Sequence, residues 1–429
     1  MEKALIVSSD GHAMALMRDY RPYLPPDLRE EFDDFLKLYD ERGQGRRTFD
    51  QSSLSARCDP EIVEQWMDDV FERLDGNHNS QRRITELEAE GISGEVLFPD
   101  FGLPFELLPP SQLLLPENAG LPRRTPEQVK AGTWAHNRWL VDFISPAPAR
   151  FAALATVDWD DVDYAIDEIK WAKEAGLRGI LLPAFSGEEP LFHPRFEPIW
   201  DVIEDLELVV NSHILLSTTL KVLPSVSNAP HPASAIAVNA PINTFFSQQT
   251  LTHLIWGGVL EKHPGVRAAF TELGSGWIPA ALSAMDYSYN GSYLRQDHRE
   301  LLKLKPSEYF ARQCFLGSST FSRAEVSIRH TIGLDKMMLG MDYPHHEGTL
   351  AAAGTTEYLR ATLGAEQVPV EEARMMLGGT AIDLWGLDAA KLREVADRVG
   401  PDLDTVLTPP TDDLFPRGDV HKPLGALIL

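Results

Sequence analysis

Met338-Leu339-Gly340-Met341-Asp342-Tyr343-Pro344-His345 is an apolar run that stops at an acid and enters a tight turn carrying a histidine. Far upstream, Ala4-Leu5-Ile6-Val7 runs into Ser8-Ser9-Asp10-Gly11-His12. Both runs read as strands whose C-terminal tips carry metal-competent side chains. In a (β/α)8 barrel all strand C-termini open on one face, and chemistry happens there. Whether these two tips meet decides the fold.

Working outward, the same kind of apolar run recurs, with helical patterns between most of its copies. Ala4–Ser9, Gly91–Pro99, Phe151–Val157, Gly179–Pro183, Leu208–His213, Val266–Glu272, Cys314–Ser318 and Lys336–Met341 read as strands one to eight. Continuous apolar strands alternating with amphipathic helices indicate a parallel sheet buried on both faces. Eight such units favour an α/β fold closed into a (β/α)8 TIM barrel over an open doubly wound sheet. Asp161–Ala175 shows the helical half of the pattern. Val162, Ala165, Ile166, Ile169 and Ala172 share a face, acids lead the segment and Gly176 ends it.

Residues 1–400 are therefore read as one barrel domain. Three stretches exceed a minimal barrel: 13–80 after strand one, 101–130 after strand two and 216–250 after strand five. All three leave strand C-termini, so they are expected to wall or cover the catalytic face. Residues 401–429 carry Pro401, Pro409, Pro410, Pro416 and Pro423 and read as an extended C-terminal arm.

Bulk properties narrow the function classes. The chain has 429 residues, 43% hydrophobic and 24% charged, as expected for a protein with a large core. A net charge of −25 with no basic cluster argues against nucleic acid and anionic membrane as partners. Cys58 and Cys314 are the only cysteines, too few for a disulfide framework or a thiolate zinc site. No apolar segment reaches the about 18 residues that span a membrane, and no leader-type segment precedes the first strand. A cytoplasmic protein is expected.

Asp10 and His12 stand two apart, which puts both on one face of a strand. His213 ends strand five and Asp342 ends strand eight. Alone, each residue has an ordinary structural reading. Together at strand tips they make a set of two imidazoles and two carboxylates suited to one divalent ion, zinc first, manganese or iron next. Glu272 ends strand six and reads equally as a catalytic acid or as a loop-holding salt bridge. His345 could orient substrate or support Asp342 from behind, but Tyr343-Pro344-His345 reads better as plain turn chemistry. Arg82 and Arg83 read best as solvated surface. Strand four ends in Leu182-Pro183-Ala184 with no lysine, which argues against a two-metal site bridged by a carboxylated lysine. No glycine-rich phosphate cradle and no nucleophile elbow are present. Phe101, Phe105, Leu107, Phe245 and Phe246 read equally as a pocket for an apolar or ring-bearing molecule, with Trp277 as a further wall, or as simple lid packing.

Taken in order, these motifs resemble the amidohydrolase superfamily. The nearest branch is the amidohydrolase-2 group, which includes aminocarboxymuconate-semialdehyde decarboxylase and related aromatic-acid decarboxylases. The resemblance is carried by Ser9-Asp10-Gly11-His12, Gly94–Pro99, His136–Leu140, Gly176–Ile180 and His213. Gly258–Pro264, Glu272–Pro279 and Gly340–His345 are its most specific parts, and it spans residues 4–400. It implies a single metal held by Asp10, His12, His213 and Asp342. Members carry His-x-His or Glu-x-His at the first position, so Asp10 is a departure. The group's decarboxylases carry a catalytic histidine at the end of strand six, where this chain has Glu272.

A metal-dependent hydrolase acting on a small ring-bearing or unsaturated carboxylic substrate is therefore the first functional expectation. Asp342 would move the proton and Glu272 would orient water or the leaving group. Non-oxidative decarboxylation of an aromatic or muconate-type acid is the alternative, and a non-catalytic metal-binding barrel is the reading from another class. The long insertions and proline-rich tail further suggest a homodimer.

Overall fold

The computed structural model describes residues 2–41, 71–100, 102–107, 124–182, 189–214, 248–291, 296–345, 348–349 and 354–410. Phe101, Phe245 and Phe246 lie outside the described residues, as do Cys58, His346, Glu347 and the arm beyond residue 410.

Eight parallel strands follow one another around a barrel. They are β1 (Val7–Ser8), β2 (Gly94–Pro99), β3 (Phe151–Thr156), β4 (Gly179–Leu181), β5 (Val209–His213), β6 (Arg267–Thr271), β7 (Cys314–Ser319) and β8 (Met337–Gly340). Each hydrogen-bonds the next in chain order. Every residue of β2, β3, β4, β5 and β8 is buried, which explains why these segments read as largely apolar runs. β8 returns to the first strand through Ser9 N–H to Leu339 O at 2.7 Å and Asp342 N–H to Asp10 O at 3.0 Å. Gly11 also bridges Tyr343 in parallel. The two tips that decided the fold do meet.

The first strand departs from its expected form. Regular pairing covers Val7–Ser8, breaks, and resumes at His12–Ala13 against the end of β2. In the break the Asp10 N–H turns to the Ser8 hydroxyl at 3.3 Å, and that hydroxyl also accepts the Met341 N–H at 2.8 Å. The interruption re-aims Asp10 and His12 toward the mouth, a use to which irregular strand ends are often put.

The outer helix read from the sequence forms where its pattern placed it. In Val162–Glu174 the Asp161 side chain caps the N-terminus by accepting the Tyr164 N–H at 3.1 Å. Ala165, Ile169 and Ala172 are buried, with Val162 and Ile166 packed half-buried beside them. Residues 401–410 pack at the barrel's N-terminal end, where Ala4 N–H donates to Pro401 O at 2.8 Å and Leu403 N–H to Glu2 O at 2.9 Å. This part of the tail includes one helical turn, Leu403–Val406, which buries Leu403 and Val406. Among the described residues no helix is long and apolar enough to cross a membrane.

Candidate metal centre

The mouth of the barrel gathers the residues that the strand tips promised. One ligand atom each from Asp10, His12, His213 and Glu272 lies within 4.8 Å of the others. A second group, His12, Glu272, Asp342 and His345, satisfies the same distance and shares two members with the first. Asp10 Oδ1 stands 3.3 Å from His213 Nε2 and 3.6 Å from His12 Nε2. Asp342 Oδ1 stands 3.3 Å from His12 Nε2, and Glu272 Oε2 stands 3.2 Å from His213 Nε2. Asp10 and Asp342 have no exposed surface, and His12 and His213 are 1% exposed.

The imidazoles are oriented from behind. His12 Nδ1 is 2.8 Å from Pro99 O and His213 Nδ1 is 2.7 Å from Ile214 O. With those nitrogens donating to carbonyls, each Nε2 presents a lone pair to the centre, the usual arrangement of metal-binding histidines. His12 Nε2 and both Asp342 oxygens are buried without a well-aligned hydrogen bond. Buried polar atoms are seldom left so. A divalent cation would satisfy all three at once, so the donor set fits a metal.

Electrostatics agree. Burial alone would raise the Asp342 carboxyl, but His345 and His12 beside it hold it well below the usual carboxylate range. Burial and the His345 charge work to lower His12, yet Asp342 and Asp10 push it up. Carboxylates this close to a ring that they try to protonate make a strong attractor for positive charge.

Backbone strain collects at the same face. β6 hands over to Glu272 at φ 57°, β7 to Thr320 at φ 38° and β8 to Asp342 at φ 52°. Left-handed backbone at non-glycine residues costs about 1–3 kcal/mol each and gathers at functional sites. The next strand holds each one. Glu272 N–H donates to Gly317 O at 3.0 Å, Thr320 N–H to Gly340 O at 2.9 Å and Asp342 N–H to Asp10 O at 3.0 Å. Glu325 fixes the loop after Glu272 by accepting the Gly276 N–H at 3.1 Å and the Ser275 hydroxyl at 3.0 Å.

His345 lies beside the cluster, stacked on His12 with ring centroids 4.2 Å apart and its Nδ1 3.1 Å from Asp342 Oδ1. Trp277 does not join the cluster. It is half-buried beside the helix Ile278–Asn290, and its indole N–H donates to Gly274 O at 3.2 Å. Arg83 corrects the surface reading. It is fully buried, because its guanidinium pairs with the equally buried Glu95 at 2.8 Å.

Two site residues escaped the sequence reading. Asp100, 2% exposed at the tip of β2, places Oδ1 3.4 Å from His345 Nε2 and accepts from Asn77 Nδ2 at 2.8 Å. Its signal was present, since Leu97-Phe98-Pro99-Asp100 is another apolar run stopping at an acid. Ser319, at the end of β7, donates its hydroxyl to Asp10 Oδ2. A serine at a strand tip carries no comparable signal.

A closed (β/α)8 barrel with this cluster at its C-terminal mouth defines a metal-dependent enzyme of the hydrolase or carboxy-lyase kind. The chain belongs to the amidohydrolase family of the amidohydrolase-2 group, whose sequence profile matches residues 98–387. Asp10 and His12 lie before that match, so only the fold brings them to the site.

Solved structures share the architecture at low identity. A 5-carboxyvanillate decarboxylase from Sphingomonas paucimobilis aligns with TM-score 0.58 and 16% identity over 89% of this chain and 99% of that one. An amidohydrolase from Mycobacterium avium subsp. paratuberculosis gives TM-score 0.60 and 17% identity over 89% and 99%. A dihydroxybenzoic acid decarboxylase from Polaromonas, solved with manganese and the inhibitor 2-nitroresorcinol, gives 0.55 and 15% over 91% and 99%. No curated protein matches the chain in sequence.

Proposed function

We propose that the chain is a metal-dependent hydrolase of a small substrate, working with one divalent ion at the barrel mouth. One observation carries this reading: Asp10, His12, His213 and Glu272 offer four ligand atoms within 4.8 Å of one another. Asp342 and His345 adjoin that set through His12. An ion bound there supplies water that is nucleophilic near neutral pH and polarises a carbonyl.

This chain's own residues do the rest. Asp342, buried and ionised, accepts the proton of the attacking water and returns it to the leaving group. His345 lies against Asp342, and Asp100 faces its far nitrogen, fixing the ring's direction. Glu272, its backbone in the left-handed region, stands 3.2 Å from His213 and completes the ligand set or orients the water. The Ser- and Pro-rich insertion at 216–250, more than a lone barrel needs, supports a homodimer built on a single barrel unit. Light scattering that returns 47.8 kDa at every concentration would overturn the dimer.

Decarboxylation is the second reading, supported by the fold likeness to named decarboxylases. Two features weigh against it. Asp10, Asp100, Glu272 and Asp342 make the mouth rich in carboxylates, which repel a substrate carboxylate, and Glu272 stands where that chemistry uses an imidazole. The deciding experiment strips the protein with chelator and reloads it with zinc or with manganese. It is then assayed on esters, lactones and amides for hydrolysis, and on aromatic and unsaturated carboxylic acids for CO2. Hydrolysis that returns with the metal supports the first reading. CO2 release with no hydrolysis replaces it with the second.

A further inference from the structure

Arg83 lies on the helix Ser80–Ala89, outside the strands, yet its guanidinium reaches the seam where the barrel closes. Nη1 donates to His12 O at 2.6 Å and to Gly76 O at 3.5 Å. Nη2 donates to Tyr343 O at 3.3 Å, and Nε donates to Glu95 Oε2 at 2.9 Å. The guanidinium carbon lies 4.2 Å from the centroid of the Tyr343 ring. Tyr343 O is also the acceptor of the His12 N–H, at 2.7 Å. One buried cation thus grips the main chain of a proposed metal ligand and of the residue next to Asp342.

The sequence between the two ligand side chains of the first strand follows from this grip. A Cβ on Gly11 would sit 2.1 Å from Glu95 Oε1 and 2.8 Å from Arg83 Nη2. Only glycine lets Asp10 and His12 flank the pair at that depth. A planar fork with five donors suits three carbonyls and a carboxylate, and lysine cannot reproduce it.

We propose that Arg83, braced by Glu95 and accommodated by Gly11, is a positioning residue for the metal centre. It sets the separation of His12 from Asp342 across the seam. The proposal rests on the metal reading of the barrel mouth. It goes beyond that reading by assigning the ligand spacing to a residue that touches neither ligand side chain.

The test is metal affinity of the full chain, measured by titrating chelator-stripped protein with Zn²⁺ or Mn²⁺, alongside melting curves with and without the ion. Arg83→Met is expected to weaken binding by about 10–100-fold, the range found when groups behind metal ligands are removed. Arg83→Lys should recover part of that loss. Gly11→Ala, which alters no polar group, should weaken binding in the same direction. If Arg83→Met does not fold, Arg83→Lys and Gly11→Ala decide.

Suppose instead that the apo protein melts lower while the metal-induced rise in melting temperature and the dissociation constant stay at wild-type values. Arg83 is then structural only and the proposal fails. A wild-type chain that takes up neither ion defeats the metal reading and this proposal with it. Wild-type binding together with unaltered variants defeats this proposal alone.

Discussion

Two buried arginines clamp strand backbones at opposite ends of the barrel. At the N-terminal end Arg150 donates to Ser93 O and Ile92 O, both at 2.9 Å, and pairs with Glu88 at 2.8 Å. At the C-terminal end Arg83 does the same for His12 O and Tyr343 O. Their surroundings differ. Arg150 holds segments just before β2 and β3, and Glu88 is gripped from outside by Arg398 at 2.7 Å. Arg83 holds segments that pass directly into strained residues and unpaired donor atoms. The same device therefore serves cohesion at one end and placement at the other. In a barrel of this type the lower face stabilises and the upper face reacts.

Substitutions can break or sharpen that contrast. The largest effect belongs to the upper end. Asp342→Asn should lower turnover by about 10²–10⁴-fold, the scale of general acid–base catalysis. Its melting temperature should fall somewhat, because Asn keeps the buried volume but loses the charge that His345 and His12 stabilise. Steady-state kinetics beside a thermal scan would check it, and undiminished turnover would move the base elsewhere.

Glu272→Gln comes next. Its carboxylate lies among the candidate ligands, so metal affinity should fall about 10-fold or more, the scale of a disturbed metal site. Titration with Mn²⁺ reads this directly. Unchanged affinity with slowed turnover would return Glu272 to a substrate-facing role.

Arg150→Met should leave metal affinity untouched while removing about 1–3 kcal/mol of stability, the cost of leaving buried acceptors unsatisfied. Urea unfolding gives the second quantity, and a parallel loss of metal affinity would erase the distinction between the two ends.

Near neutral pH the smallest effect comes from the outer wall, which should follow the lower end's rule. Burial of His136 pushes its pKa down to about 3 from an ordinary 6.5. The folded state keeps this ring neutral while the unfolded chain protonates it. Its neutral form thus favours the fold fully above the unfolded value, and that advantage shrinks as pH falls from 6.5 toward 3. The slope approaches about 1.4 kcal/mol per pH unit for one proton. Comparing His136→Gln with wild type by urea unfolding at several pH values isolates the contribution. An identical pH slope in both would remove His136 as its source.

The contrast between the ends also explains what the sequence made legible. The strands could be read because burial on both faces leaves runs such as Phe151–Thr156 with little polar interruption. Asp10, His12, His213, Glu272 and Asp342 could be read because each ends such a run. Arg83 could not. Gln81-Arg82-Arg83-Ile84 looks like a solvated helix face, and the partners that bury Arg83 come from Glu95, His12 and Tyr343, three distant segments. Asp100 was hidden behind Pro99, which marked the end of a strand before the acid was reached. The break in the first strand was unreadable for a related reason, since the Ser8 hydroxyl that permits it bonds to Met341.

The seam between the first strand and β8 also sets an order in time. Ser9 meets Leu339 across 330 residues, so a loop of most of the chain must close before these strands pair. Such distant pairings are slow to form. During synthesis Asp10 and His12 emerge first and wait for nearly the whole barrel, with half of the donor set in hand. On the proposed reading, closure of the centre around Asp342 and the Arg83 grip is thus a late event in the life of each molecule. A chain halted before Asp342 would carry most of the strands yet lack the grip that defines its chemistry.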